Sequence, residues 1–311
     1  MTDDVIHIVL TCDDRYAQHA AVTIVSVVKN TKRKVHFYVF DCGILPENLE
    51  RLKRLDVGSN VLEVIRVQKI EAFESCELKL ADYYSSAVMY RLVAAEVLFN
   101  LDKALYLDSD IIAVRDIGLI YDIDLGDNLL AGNDALEFYE DQLADMEYGS
   151  PCSKVYFHTG LLLMNLKKMR EWHFFEKAVE IIKIAPPFTC PNQGIVYLLL
   201  EDCHWKVLNY SFFYYLMFNH DTIYPAVCYH CSFKPWLFPE VLMRFLPGMY
   251  WNIMRKYYKY LKFTPWADCK NKYVTSRNTV EYLVKWLLHR SWFRDKRMAP
   301  FKSIIEEIKK A

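Results

Sequence analysis

The chain has 311 residues, 53% apolar and 25% charged, with a mean hydropathy close to zero. This is the composition of a folded globular protein and excludes a disordered or collagen-like one. Net charge is −1, but Trp251–Ala311 carries 15 Lys and Arg against 5 Asp and Glu, a net of +10 that leaves −11 on residues 1–250. An acidic body with a basic tail points to an anionic surface as the tail's partner and makes nucleic acid a poor partner for the body.

The nine cysteines follow no repeated spacing. The opening MTDDVIHIVLTCDD has no basic stretch ahead of its apolar run, so it does not read as a signal peptide. No apolar run reaches the roughly 18 residues of a spanning helix. These features together predict a cytoplasmic, thiol-reduced protein that touches a membrane at most from one side.

In chain order, Val5–Thr11 reads as a buried strand running into Cys12-Asp13-Asp14, and Tyr16–Asn30 has helical spacing. Val35–Phe40 is strand-like, Pro46–Leu55 opens a helix on proline, and Val61–Val67 is a third strand. Tyr84–Phe99 predicts a helix, and Ala104–Leu107 a strand that stops on Asp108-Ser109-Asp110. This alternation implies a mainly parallel sheet covered on both faces, with right-handed crossovers and a ligand site beyond the strands' carboxyl ends. Both acidic clusters fall at such ends.

Further on, Val155–Leu166 reads as a strand broken at Gly160, Lys168–Ile184 and Asn192–Glu201 as helices, and Ala226–His230 as a short strand. Aromatic and basic helices follow, with a boundary near residue 245. Residues 1–245 are then one α/β domain, and residues 246–311 a helical tail.

The strongest chemical signal is Asp108-Ser109-Asp110. Two carboxylates at i and i+2 after a buried strand make a compact hard-oxygen site for Mg²⁺ or Mn²⁺, although bare D-x-D triplets are also frequent in loops. Such a cation bridges phosphates and neutralises a leaving diphosphate. His230 is a candidate third ligand and Lys234 a candidate phosphate contact, with a core histidine beside a Lys-Pro-Trp turn as the plainer reading. Cys228 and Cys231 form a lone C-x-x-C in a strand-like segment, which fits buried structural thiols better than zinc or redox chemistry. Dinucleotide, P-loop and nucleophile-elbow fingerprints are absent from the sequence.

Taken in order, IVLTCDDRYAQHAAVTIVSVV, FYVFDCGI, MYRLVAAEVL, DKALYLDSDIIAVRDI, YDIDLGDNLLAG, YFHTGLLLMNLKKMRE, NQGIVYLLL and HCSFKPW resemble glycosyltransferase family 8. The likeness is closest to bacterial lipooligosaccharide α-galactosyl- and α-glucosyltransferases and covers roughly residues 5–240. The resemblance implies a GT-A fold, a UDP-hexose donor, Mn²⁺ (or Mg²⁺) and retention of configuration. It implies Asp13 on the uracil and Tyr16 stacked on it, Arg91 near the donor sugar and phosphates, and Asp108, Asp110 and His230 on the metal. It further implies Asp134 and His158 on donor-sugar hydroxyls, Asn192 and Gln193 at the reacting face, and Lys234 on the diphosphate.

The chain departs from the family pattern at Arg15 and His158, where asparagine is usual. It also departs at Asn192-Gln193-Gly194, which lacks a carboxylate, and in a shortened loop after His230.

The expected acceptor is a lipid-linked oligosaccharide such as the lipopolysaccharide core. The tail, with Trp251, Tyr257, Tyr258, Tyr260, Trp286 and Trp292 among its basic residues, is expected to hold the protein peripherally on the cytoplasmic face of an inner membrane. A helical subdomain packed on the catalytic one is the alternative for the tail. A glycoprotein or teichoic acceptor, a nucleotide-sugar hydrolase and a non-catalytic UDP-sugar-binding protein remain the alternatives for function.

Overall fold

The computed structural model describes residues 5–74, 85–134, 157–184, 191–199, 205–209, 212–215, 226–230 and 248–268. Its centre is a seven-stranded sheet. Strand β1 (Ile6–Cys12) is buried along its whole length, His7 and Thr11 included, as a mostly apolar strand flanked on both sides should be. It pairs in parallel with β2 (Val35–Asp41) and with β4 (Lys103–Leu107), and β2 pairs in parallel with β3 (Val61–Arg66). β3 closes one edge, and its residues alternate between exposed and partly buried over most of their length.

Beyond β4 the direction reverses. β7 (Phe157–Asn165) is antiparallel to both β4 and β6 (Leu130–Asp134), and β8 (Trp205–Leu208) runs parallel to β6. The order is β3-β2-β1-β4-β7-β6-β8, four parallel pairings against two antiparallel, so the expected mainly parallel α/β sheet is observed. A second sheet, which the sequence pattern did not announce, joins β5 (Ile111–Ala113), β10 (Cys228–His230) and β9 (Phe213–Tyr215) in the order β5-β10-β9.

Helix α1 (Ala17–Asn30) covers one face, burying residues from Ala17 through Val27 against the alternate β1 side chains Ile6, Ile8 and Leu10. Helix α2 (Pro46–Lys53) starts on its proline as expected. The opposite face carries a second core around Val9, Phe40 and Tyr106, closed by short helices α3 (Glu71–Glu74), α4 (Ala94–Val97) and α6 (Leu166–Glu171) and by α7 (Phe174–Ile184) and α8 (Pro191–Leu199). Helix α5 (Gly118–Tyr121) belongs to the α1 side.

Three expectations change. The predicted helix over Tyr84–Phe99 is a 3₁₀ stretch, Ser86–Val93, followed by α4. Met89 through Val93 are all buried, and packing on more than one side overrides the α-helical preference. The helix predicted over Lys168–Ile184 splits into α6 and α7 because His173 takes a left-handed φ of 58°. The strand predicted to break at Gly160 is continuous as β7, but its register with β6 shifts from Leu162 to His158, so an irregularity in pairing falls where the break is expected.

Helix α9 (Gly248–Leu261) lies on α1. The Tyr257 hydroxyl sits 2.6 Å from His19 Nδ1, and Asn30 Nδ2 donates to the Tyr260 hydroxyl at 2.9 Å. Trp266 Nε1 donates to Asn48 at 3.3 Å. Tyr257 and Tyr260, expected at a membrane interface, are therefore interior residues. The boundary near residue 245, Lys234, Cys231, Trp286 and Trp292 lie outside the described residues. Among the described residues no helix is long and apolar enough to cross a membrane.

Candidate functional site

The carboxyl ends of β1 and β4 adjoin, and Ser109 ties them together: its hydroxyl donates to the Thr11 carbonyl at 2.9 Å. Thr23 of α1 donates to the Ser109 and Ile111 carbonyls, so the Asp108–Asp110 turn is held from both sides. The antiparallel register of β5 with β10 pairs His230 with Ile111, the residue after Asp110. That three-residue ladder delivers the imidazole to the aspartates from about 120 residues away in sequence. His230 Nε2 lies 2.9 Å from Asp110 Oδ1 and 3.8 Å from Asp108 Oδ2.

The ligand atoms of Asp108, Asp110 and His230 all lie within 4.8 Å of one another, and the two inner residues are buried. Two carboxylates and one imidazole form a donor set that suits Mn²⁺ and accommodates Mg²⁺ through its oxygens, so the residues present fit a divalent ion.

Asp108 is also gripped from behind. Arg91, only 3% exposed, places Nη2 2.9 Å from Asp108 Oδ1 and rests over the Tyr106 ring at 4.4 Å. Its other nitrogens donate to the Thr159 and Val88 carbonyls. The carboxylate, the ring face and the carbonyls together compensate a cation removed from water. Tyr106, buried next to Arg91, donates its hydroxyl to Asp108 Oδ1 at 2.8 Å. Burial raises the Tyr106 pKa well above the ordinary phenol value, so it stays a hydroxyl donor.

Thr159 is the hub on β7. Its carbonyl takes Arg91, its hydroxyl accepts from Asn192 Nδ2 at 2.6 Å, and its amide donates to Gln193 Oε1 at 3.4 Å. The two amides predicted at the reacting face thus stand at the start of α8, tied to the strand that abuts the acidic turn. His158 is buried, its ring centroid 4.7 Å from that of His230 in an edge-on arrangement. Gly160 makes this crowding feasible: a Cβ there would sit 2.7 Å from His158 Cε1 and 2.8 Å from Asp108 Oδ2. Asp134 ends β6 opposite Phe157, with Asn133 opposite His158.

At the neighbouring strand end, Asp13 accepts from the Tyr16 amide at 3.1 Å and pairs with Arg15 at 3.3 Å, capping the 3₁₀ turn Asp14–Tyr16. Tyr16 packs edge-on against His19 with centroids 5.4 Å apart. Cys12 and Cys228 are buried thiols whose pKa values burial pushes up, which suits packing rather than metal or redox chemistry.

The structure therefore brings together Asp108, Asp110, His230, Arg91, His158, Asn192 and Gln193, and places Asp13 and Tyr16 at the adjoining strand end. Sequence reasoning missed Tyr106, Thr159 and Gly160. The Tyr at i−2 from Asp108, on the same strand face, was the one available signal for Tyr106.

Comparison with known proteins agrees with this geometry. The chain is 29% identical over 209 residues to glycosyltransferase GlyF of Streptococcus pneumoniae, covering 67% of this chain and 48% of that protein. It is 24% identical over 207 residues to lipopolysaccharide 1,2-glucosyltransferase of Escherichia coli, covering 64% and 60%. The chain thus spans about half to three fifths of the length of these relatives.

Among solved structures, an active-site mutant of LgtC superimposes with a TM-score of 0.61 at 27% identity, covering 74% of this chain and 89% of that one. The galactosyltransferase LgtC with donor and acceptor sugar analogs matches in fold with a TM-score of 0.66 at 24% identity, covering 85% and 99%. The fold is that of the GT-A glycosyltransferases. Residues 7–239 match the sequence profile described as Glycosyl transferase family 8, a span that contains both aspartates of the turn, the imidazole that meets them and the sheet that carries them, and the chain belongs to that family.

Proposed function

We propose that the chain is a retaining, metal-dependent hexosyltransferase that moves galactose or glucose from a UDP-sugar to a lipid-linked oligosaccharide such as the lipopolysaccharide core. The observation that carries the reading is the convergence of Asp108, Asp110 and His230 beside two strand ends of a family 8 fold. These three residues would hold Mn²⁺, or Mg²⁺ in its place, and when bound the ion supplies charge neutralisation for the departing nucleoside diphosphate.

Asp13 would accept the uracil N3–H and Tyr16 would cover the base, with Lys234 as a second cation for the diphosphate. Asp134 and His158 would orient donor-sugar hydroxyls. Arg91 would act through Asp108, because its guanidinium is already committed to that carboxylate and to two backbone carbonyls.

Gln193 offers an amide rather than a carboxylate nucleophile. Departure and attack on the same face of the sugar follow. The bond from the anomeric carbon to the phosphate oxygen breaks, and the acceptor oxygen bonds to that carbon. The acceptor proton passes to the leaving phosphate, and UDP is released. The identities of the E. coli relative and of LgtC support a hexose donor and a glycan acceptor.

Residues 1–245 would carry the donor site and residues 246–311 the basic surface facing an anionic inner leaflet. The deciding experiment supplies the full chain with UDP-galactose or UDP-glucose and a lipooligosaccharide acceptor, with Mn²⁺ or with a chelator. Metal-dependent UDP release with an α-linked product is expected; absence of transfer from either donor in the presence of Mn²⁺ would refute the proposal.

A further inference from the structure

The Asp108 carboxylate has two unlike oxygens. Oδ1 receives the Tyr106 hydroxyl at 2.8 Å and faces Arg91 Nη2 at 2.9 Å. Oδ2 turns to the other side, 3.8 Å from His230 Nε2, and is the atom that a Cβ on Gly160 would meet. Tyr106 is itself held: its oxygen lies 2.9 Å from Thr11 Oγ1.

A carboxylate only accepts, so the phenol proton goes to Asp108 and the Thr11 hydroxyl donates to the phenol oxygen. The result is a one-way chain of donors, Thr11 to Tyr106 to Asp108, whose first two members are buried and whose last is partly exposed at the site.

We propose that Tyr106 is a positioning residue of the metal centre: with Thr11 behind it and Arg91 beside it, it occupies Oδ1 and presents Asp108 to the cation through Oδ2 alone. The inference rests on the metal-site reading given above. Outer partners of metal ligands commonly govern affinity by about 10–100-fold. Arg91 stays on Oδ1 when the phenol is removed, so charge compensation persists and the quantity lost is the angular restraint.

The test is Tyr106→Phe in the full chain, which keeps the ring under Arg91 and deletes the hydroxyl. Mn²⁺ binding is read without donor or acceptor, by titration against the electron paramagnetic resonance signal of the free ion. A dissociation constant about 10-fold weaker is expected. In the transfer assay, the Mn²⁺ concentration for half-maximal rate should rise by a larger factor than kcat falls. Thr11→Val should shift binding in the same direction by a smaller factor, and it serves as the test if Tyr106→Phe does not fold.

Unchanged or tighter Mn²⁺ binding in a folded Tyr106→Phe, or in Thr11→Val where that variant stands in, overturns the inference. Asp110→Asn separates the two levels: if that variant binds Mn²⁺ like the wild type, the metal-site reading itself fails. If it loses binding while the positioning variant keeps it, the role of Tyr106 alone fails.

Discussion

Replacing Gly160 by alanine tests the crowding at the centre of the site. The added Cβ would lie 2.7 Å from His158 Cε1, 3.0 Å from His158 Nδ1 and 2.8 Å from Asp108 Oδ2. Comfortable contacts between such atoms begin at about 3.5 Å, so each neighbour must retreat by about 0.5–0.8 Å. None can do so freely. His158 is wedged against His230, and Asp108 is fixed at Oδ1 by Tyr106 and Arg91.

Overpacking of this kind costs about 1–3 kcal/mol, or a fall in Tm of about 2–5 °C at this chain length. Because the displaced oxygen is the one facing His230, Mn²⁺ affinity should fall together with stability. Gly132→Ala is the control. Its Cβ would meet Leu162 Cδ2 at 3.0 Å and the Phe157 ring at 3.4 Å, all apolar atoms, so stability should drop without a comparable loss of metal affinity. Calorimetric unfolding and Mn²⁺ titration of both variants decide the matter. A Gly160→Ala protein with wild-type Tm and wild-type Mn²⁺ affinity would refute the packing argument.

Asp108→Ala should lower stability by about 3–5 kcal/mol, because it strands the buried Arg91, whereas Asp110→Asn should stay folded and lose transfer by at least about 100-fold; equal melting temperatures for the two variants would contradict this. Burial alone would raise the Asp41 pKa, but hydrogen bonds from Arg66 and from the Ile44 and Gly43 amides hold it below the ordinary carboxylate value. That stabilisation is present above the ordinary value near 3.9 and is lost as pH falls through the lowered one, so the Tm gap between wild type and Asp41→Asn should be full at pH 7 and should narrow in acid. Tyr257→Phe removes the hydroxyl shared with His19 and Gln18 and should cost about 1 kcal/mol, read by urea unfolding; no change would place α9 outside the cooperative unit. Full-length protein should bind anionic vesicles at low salt and release at high salt, while equal binding to zwitterionic vesicles would dismiss the basic tail as the cause.

The sheet was legible because its strands advertise themselves: IHIVLTC and KALYL are short apolar runs ending on acids, and those acids lie at strand carboxyl ends as the alternation implied. The Asp108–Asp110 pair was visible as a local motif. His230 is a candidate third ligand from its place at the end of a short strand, but a core histidine is the plainer local reading and the ordered likeness to the family decides between them, since the joining ladder is only three residues long and pairs distant segments.

Local periodicity failed where packing on several sides outweighed propensity, as in the 3₁₀ stretch that carries Arg91, and it gave no sign of the left-handed turn at the exposed His173. At Gly160 composition announces the irregularity that the register of β7 with β6 shows, but it cannot show closeness. The glycine's function is to leave room for Asp108 and His158. Tyr257 and Tyr260 were assigned to a lipid boundary from their basic neighbours, but their hydroxyls are used within the protein.

The short pairing of β5 with β10 also sets an order of events during synthesis. A ribosome-bound chain that has emerged only as far as β7 already holds both aspartates, yet the imidazole of β10 is still to be made. Contacts of such separation close late. The nascent protein would therefore capture a cation weakly until β10 had docked on β5, and metal competence would report that late pairing rather than formation of the central sheet.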